Sequence, residues 1–181
     1  MDLINPYAIV AYISNPLAAF IDRLRQEVTP NCPHHAHITI LPPRPLYVDK
    51  GQAIEQCRDI VSRFEAFDAP LGGVDLFEGS GVIKVTVTGG LAELQTLHDI
   101  LNTGPFELVE DFEYVPHVTV AQEIPPENLS KCLELVRTQW NQNGPPPAVR
   151  VESLTFVQQK SDGTWTNLAE LLLGRPQPVS R

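Results

Sequence analysis

Cysteine is scarce in this sequence and none of it is placed for pairing: Cys32, Cys57 and Cys132 are odd in number and form no CxxC. A disulfide framework is therefore not the source of stability, and a reducing compartment is expected. Long apolar runs are missing too. No stretch approaches the roughly 18 residues that a membrane span requires. The start, Met1-Asp2-Leu3-Ile4-Asn5-Pro6, lacks the basic region and apolar stretch of a secretory leader. The expected location is the cytoplasm, with no membrane partner. Positive charge is short: 13 Lys and Arg stand against 22 Asp and Glu, a net charge of −9. A non-specific grip on long nucleic acid needs a basic surface, so binding to long DNA is not expected. A small anionic ligand in a local pocket remains compatible with that balance. Clustered carboxylates that would signal a metal requirement are lacking as well.

What is present is an ordinary core-forming composition. At 181 residues, 43% hydrophobic and 19% charged, the chain can bury a real core. Tyr7 to Ile13 reads as a central strand. Asn15-Pro16 offers a cap and a first helical proline, and Leu17, Phe20, Ile21, Leu24 and Val28 follow at helical spacing. A strand ending at Leu41 stops at Pro42-Pro43, which supply no N–H to a ladder. A second helix carries Ala53, Ile54, Cys57, Ile60, Val61 and Phe64; a short apolar segment, Val74 to Phe77, lies among turn residues. Val82 to Thr88 alternates as a strand, and Leu91, Leu94, Leu97 and Leu101 mark a third helix. Residues 104–114 read as irregular, 115–121 as a strand, and Leu129 to Trp140 as a fourth helix. Val149 to Val157 and Trp165 to Leu172 complete the strands.

The order strand, helix, strand, helix, strand occurs first over 6–77 and again over 82–157. The expected architecture is an α+β fold: one bilobal domain over 1–181, with lobes at about 5–80 and 81–173, related by a pseudo-two-fold axis. Residues 174–181 read as a tail, and a monomer is expected.

At matching places in the two halves stand His37-Ile38-Thr39-Ile40 and His117-Val118-Thr119-Val120. Alternation along a strand puts His and Thr on one face and the two aliphatics on the other. The aliphatic face can join a core while both polar faces line one cleft. A neutral imidazole accepts a proton and an imidazolium donates one, so two can serve a single displacement as base and acid. Two Thr hydroxyls beside them can donate to anionic oxygens. That set suits phosphodiester chemistry.

These paired motifs resemble the HxTx motifs of the two-histidine (2H) phosphoesterases, the superfamily containing bacterial 2′–5′ RNA ligases and 2′,3′-cyclic nucleotide phosphodiesterases. The resemblance covers roughly residues 5–172. It implies two antiparallel sheets backed by helices around a central cleft that needs no metal or other cofactor. It implies that His37 and His117 share acid and base roles while Thr39 and Thr119 hold the phosphate. It implies hydrolysis of a cyclic phosphate or of a 2′–5′ linkage in a nucleotide or short RNA, or the reverse ligation without ATP. The chain departs from the pattern after the second motif, where many ligase-like members carry Arg and this chain has Ala121-Gln122. Arg44, just past the first motif, is the candidate replacement cation.

Other readings accompany this one. The cleft could bind nucleotides or RNA without turnover, or Cys32, His34, His35 and His37 could hold zinc. His34 and His35 otherwise read as loop residues, and His98 as part of the third helix. Tyr12, Tyr114 and Trp165 read as packing residues with the chemistry to stack on a base.

Overall fold

The computed structural model describes residues 2–77, 79–144 and 147–174. Beyond Gly174, the expected tail lies outside the described residues. In chain order the elements are β1 (Leu3–Tyr12), α1 (Leu17–Val28), β2 (His37–Arg44), α2 (Lys50–Val61), β3 (Phe67–Leu76) and β4 (Ile83–Val87). They continue with α3 (Leu91–Leu101), β5 (His117–Ala121), α4 (Pro126–Gln142), β6 (Ala148–Val151), β7 (Ser153–Lys160) and β8 (Trp165–Leu172).

Local chemistry explains the boundaries. The Asn15 side chain accepts from the Ala19 amide at the start of α1, and Asp49 caps α2 by accepting from Gln52 N. Gly90 precedes α3 at φ +67°, and a Cβ there would sit 2.8 Å from the Asp68 carbonyl oxygen. Only glycine meets both constraints without strain.

All the described strands pair antiparallel in one sheet of order β6-β3-β4-β5-β2-β1-β7-β8. The fold is α+β, as expected, but the two separate sheets are not what forms. The halves are joined at the centre by the bridge Ile38↔Val118 between β2 and β5. Outward from β2 come β1, β7 and β8; outward from β5 come β4, β3 and β6. The expected boundary near residue 80 thus falls between paired neighbours, β3 and β4, while β7 and β8 return to β1. The helices also cross over. α1, which follows β1, packs on β5; α3, which follows β4, packs on β2.

Three strands differ from expectation. β2 continues through Pro42-Pro43 to pair Arg44 with Tyr7, with register shifts around Ile9 that absorb the missing amides. β3 is ten residues long despite Pro70 and Gly72-Gly73, and its ladder with β4 shifts register between Leu71 and Val74. The expected strand 149–157 is divided at Glu152 into β6, at one edge of the sheet, and β7, second from the other edge.

The main core lies between the sheet and its helices and holds Ile9, Ile21, Leu24, Ile38, Ile40, Val85, Leu94, Val118, Val120 and Phe156. Ile38 and Val118 are 0% exposed, so the bridge joining the halves is also a core contact. Ile38→Ala should lower unfolding free energy by about 2–5 kcal/mol, the cost of a buried Ile cavity. Chemical denaturation measures it. A loss under ~1 kcal/mol would mean the halves do not depend on this seam.

Candidate active site

Because Ile38 and Val118 point into the core, their neighbours point the other way. The register through Ile38↔Val118 sets His37 level with Thr119 and Thr39 level with His117. The imidazoles are therefore diagonal neighbours across an antiparallel pair, a relation that places the two residues about 7–8 Å apart, with their Cβ atoms somewhat closer. Flanking strands keep the same face: Tyr12 and Val10 lie opposite His37 and Thr39, and Thr86 and Lys84 lie opposite His117 and Thr119.

The two histidines are anchored alike. His37 Nδ1 is 2.6 Å from the His35 carbonyl oxygen, and His117 Nδ1 is 2.7 Å from that of Val115. A carbonyl only accepts, so each Nδ1 carries the proton and each neutral ring presents the Nε2 lone pair. The Thr119 hydroxyl donates to His117 Nε2 at 3.1 Å. Burial is the first cause holding both imidazoles below the ordinary histidine value. It takes His37 to about 4, with Arg25, His34 and His117 adding to the effect and the His35 carbonyl opposing it. Lys84 adds to the effect on His117, and the Val115 carbonyl opposes it.

A cavity of about 360 Å³ opens over this face. His37, Thr39 and Thr119 line it together with Arg25, residues 32–35, Gln122 and a wall from β1, β7 and β8. His117 is not among its lining residues; its ring stands edge-on to Phe77 with centroids 4.7 Å apart. Cys32, His34, His35 and His37 all line the cavity, yet among the described residues no three His, Cys, Asp or Glu side chains are grouped to hold a metal ion. His35 faces the Asp22 carboxylate at 3.3 Å, and His37 Nδ1 is engaged by a carbonyl.

Residues 13–163 match the family model described as the 2′-5′ RNA ligase superfamily. The chain belongs to that superfamily. A Halalkalibacterium halodurans protein named "Putative phosphoesterase BH1439" is 23% identical over 182 residues, covering 94% of this chain and 99% of its own. "Putative phosphoesterase OB1230" of Oceanobacillus iheyensis is 24% identical over 125 residues, covering 69% and 71%. Among solved structures, E. coli LigT complexed with 3′-AMP superposes with a TM-score of 0.64 at 14% identity, covering 94% of this chain and 99% of that one. The TT0787 protein of Thermus thermophilus gives 0.59 at 18%, covering 93% and 98%. These place the chain among phosphoesterase-like proteins of the LigT fold. No described helix is long and apolar enough to cross a membrane.

In this superfamily member Arg44 does not serve the cleft, and the expectation that it does is corrected. It is 2% exposed, bonds the carbonyls of Pro42 and Phe106 and the Asn102 side chain, and pairs with Glu110. Its charge ties β2 to the segment after α3. Glu110 also meets His98, whose ring stacks on Tyr114 at 4.1 Å, and the Tyr114 hydroxyl donates to the Thr39 carbonyl at 2.8 Å.

Two cations that the sequence reading passed over lie nearer. Arg25, 2% exposed, donates to the carbonyls of His34 and Thr119, each at 2.5 Å, and lines the cavity. It closes the segment that carries the His35 carbonyl against the second motif strand. Its signal was an arginine beside Ile21 and Leu24 in the apolar stripe of α1. Lys84, 8% exposed, sits with its ammonium 3.5 Å from the Phe77 ring centroid, on the same face as Thr119. The alternation of Lys84 and Thr86 against Ile83, Val85 and Val87 placed it on the polar face.

Two measurements check this account. Arg44→Ala should destabilise by about 3–5 kcal/mol in denaturant, because it leaves Glu110 uncompensated beside a half-buried network. For the histidines, the unfolded chain takes up protons below about pH 6.5 while the folded rings resist. Stability contributed by their neutral state is thus lost as pH falls below about 6.5, for His37 down toward 4. NMR titration of the imidazoles should place both below 6.5, with His37 the lower. A His37 value above 6.5 in the ligand-free protein would contradict the buried, carbonyl-anchored geometry.

Proposed function

We propose that this chain is a metal-independent phosphodiesterase acting on 2′,3′-cyclic phosphates or 2′–5′ linkages of nucleotides or short RNA. The observation that carries the reading is the matched anchoring of His37 and His117, each with Nδ1 on the carbonyl two residues before it and Nε2 free of the backbone. One imidazole takes the proton from water or a ribose hydroxyl as the P–O bond forms. The other gives a proton to the leaving ribose oxygen. Thr39 and Thr119 donate hydrogen bonds to the non-bridging oxygens, where negative charge concentrates. Run backwards from a cyclic phosphate end, the same groups exchange roles and join two strands without ATP.

Membership of the superfamily supports the reaction class. The E. coli LigT complexes with 3′-AMP and with phosphate support a nucleotide phosphate as the ligand type. The net charge of −9 favours a small nucleotide over a long RNA. Both motifs supply His and Thr rather than grouped carboxylates, which favours proton transfer over metal-assisted attack. Because each imidazole lies on the acid side of its ordinary value, a profile requiring one neutral and one protonated ring peaks for kcat/KM below about pH 6.5.

Turnover of a panel of nucleoside 2′,3′-cyclic phosphates, with and without a strong chelator, tests the proposal. Activity should survive the chelator. His37→Ala and His117→Ala should each lose about 10²–10⁴-fold in kcat. The double variant should be little worse than either single, because the two act in one transition state. Thr39→Ala and Thr119→Ala should cost less than the His replacements, on the order of 10²-fold. Near-full activity in either His variant sinks the two-histidine mechanism; loss on chelation with rescue by zinc points instead to the Cys32–His37 segment.

A further inference from the structure

The cavity over the cleft face takes in His37, Thr39 and Thr119 but leaves out two side chains of the same face, His117 and Lys84. Both meet one ring. The Phe77 and His117 rings stand at 85° with centroids 4.7 Å apart, and the Lys84 ammonium lies 3.5 Å from the Phe77 centroid. Phe77 thus packs at once on the second motif's imidazole and on a cation. Register puts Lys84 there: it pairs with Thr119 on one side and Asp75 on the other. Directly opposite residues of antiparallel strands have Cβ atoms about 4.5–5.5 Å apart. The four-carbon stem of a lysine spans that distance, so the ammonium can reach an anion held by the Thr119 hydroxyl with no movement of the backbone. The corresponding place beside the first motif, opposite Thr39, is Val10.

At 8% exposure Lys84 has given up most of its water. A buried charge costs free energy unless a counter-charge or hydrogen bonds replace that water. The other buried cations are committed in this way: Arg44 pairs with Glu110, and Arg25 donates to the carbonyls of His34 and Thr119. Asp75, opposite Lys84, is exposed, and among the described residues no ion pair engages Lys84. The face of Phe77 replaces the lost hydration in part. A phosphate oxygen replaces it better, because the bond then carries charge on both partners. The positive charge also acts on the neighbouring imidazole, adding to the burial that holds His117 below its ordinary value.

We propose that Lys84 is a phosphate-binding residue of the cleft: its ammonium rests on Phe77 in the ligand-free protein and turns to a non-bridging oxygen of the phosphodiester held at Thr119. This deepens the reading under Proposed function and rests on it. The negative charge of the phosphate is thereby drawn to the His117 side of the cleft.

Titration of the wild type with inorganic phosphate, followed by NMR, tests this. The Lys84 methylene protons next to the ammonium lie over an aromatic face, whose ring current shifts them upfield. Phosphate should move them downfield, saturably, as the ammonium leaves the ring. Lys84→Met should weaken phosphate binding, and lower kcat/KM for adenosine 2′,3′-cyclic phosphate, by about 10- to 100-fold, the contribution of one hydrogen bond to a charged group. Lys84→Arg should restore much of both. If Lys84→Met does not fold, the wild-type titration decides. Lys84 protons that stay in place while phosphate saturates the His37 and Thr119 signals overturn the proposal, and so does a wild type that binds no phosphate. Wild-type affinity and turnover in Lys84→Met overturn it too, and leave the phosphodiesterase reading standing. Phosphate binding that depends on Lys84, without turnover of any cyclic phosphate, supports the site and removes the phosphodiesterase reading instead.

Discussion

The contact between Ile38 and Val118 is the constraint on which the rest of this molecule depends. It is the bridge through which β2 meets β5, it is wholly buried, and it turns two four-stranded halves into one sheet. Because strand side chains alternate, burying these two residues obliges His37, Thr39, His117 and Thr119 to emerge together on the other face. A one-residue slip would exchange polar and apolar faces and send the histidines into the core. The hydrophobic effect at the seam thus sets the geometry of the polar site.

The carbonyls of both motif threonines are held by side chains from distant elements: Arg25 of α1 takes that of Thr119, and Tyr114 takes that of Thr39. Behind Arg25 stands the segment whose His35 carbonyl anchors His37; behind Tyr114 stand His98, Glu110 and Arg44. Buried arginines here are fastenings. Each gives up hydration for several carbonyl or carboxylate partners, a trade that holds only when its bonds are satisfied. The cations near the face that carries the motif side chains are then Arg25, bonded to the His34 and Thr119 carbonyls, and Lys84, set over the Phe77 ring.

The helix crossover has a related effect. α1 leaves β1 and packs on β5, while α3 leaves β4 and packs on β2. Each half of the sheet is covered by a helix from the other half's run of sequence, so the halves cannot part without exposing the apolar stripes of both helices. A division near residue 80, plausible from the repeating order of elements, falls between the paired neighbours β3 and β4, whereas the halves of the sheet meet at β2 and β5.

Local pattern was enough to determine the four helices, most of the strands and the motif pairs, since each rests on periodicity or on a face shared by residues two apart. His37, Thr39, His117 and Thr119 were legible because their meaning lies in alternation, which is a property of a single strand. Less was legible where a ladder tolerates an exception. Pro42-Pro43 reads as a stop and the stretch from Pro70 through Gly72-Gly73 as turn residues, yet register shifts in the paired strands absorb them, and such shifts exist only once two strands have met. The role of Arg44 followed the same rule: adjacency to a motif made it a candidate ligand, and only the folded chain supplied Glu110, Asn102 and Phe106 to claim it. Likewise Tyr12 and Trp165 are 153 positions apart and become one wall when β7 carries β8 back beside β1. Side-chain alternation belongs to the sequence; which strands stand side by side, and so which charges are spent and which surfaces remain, is decided by long-range pairing.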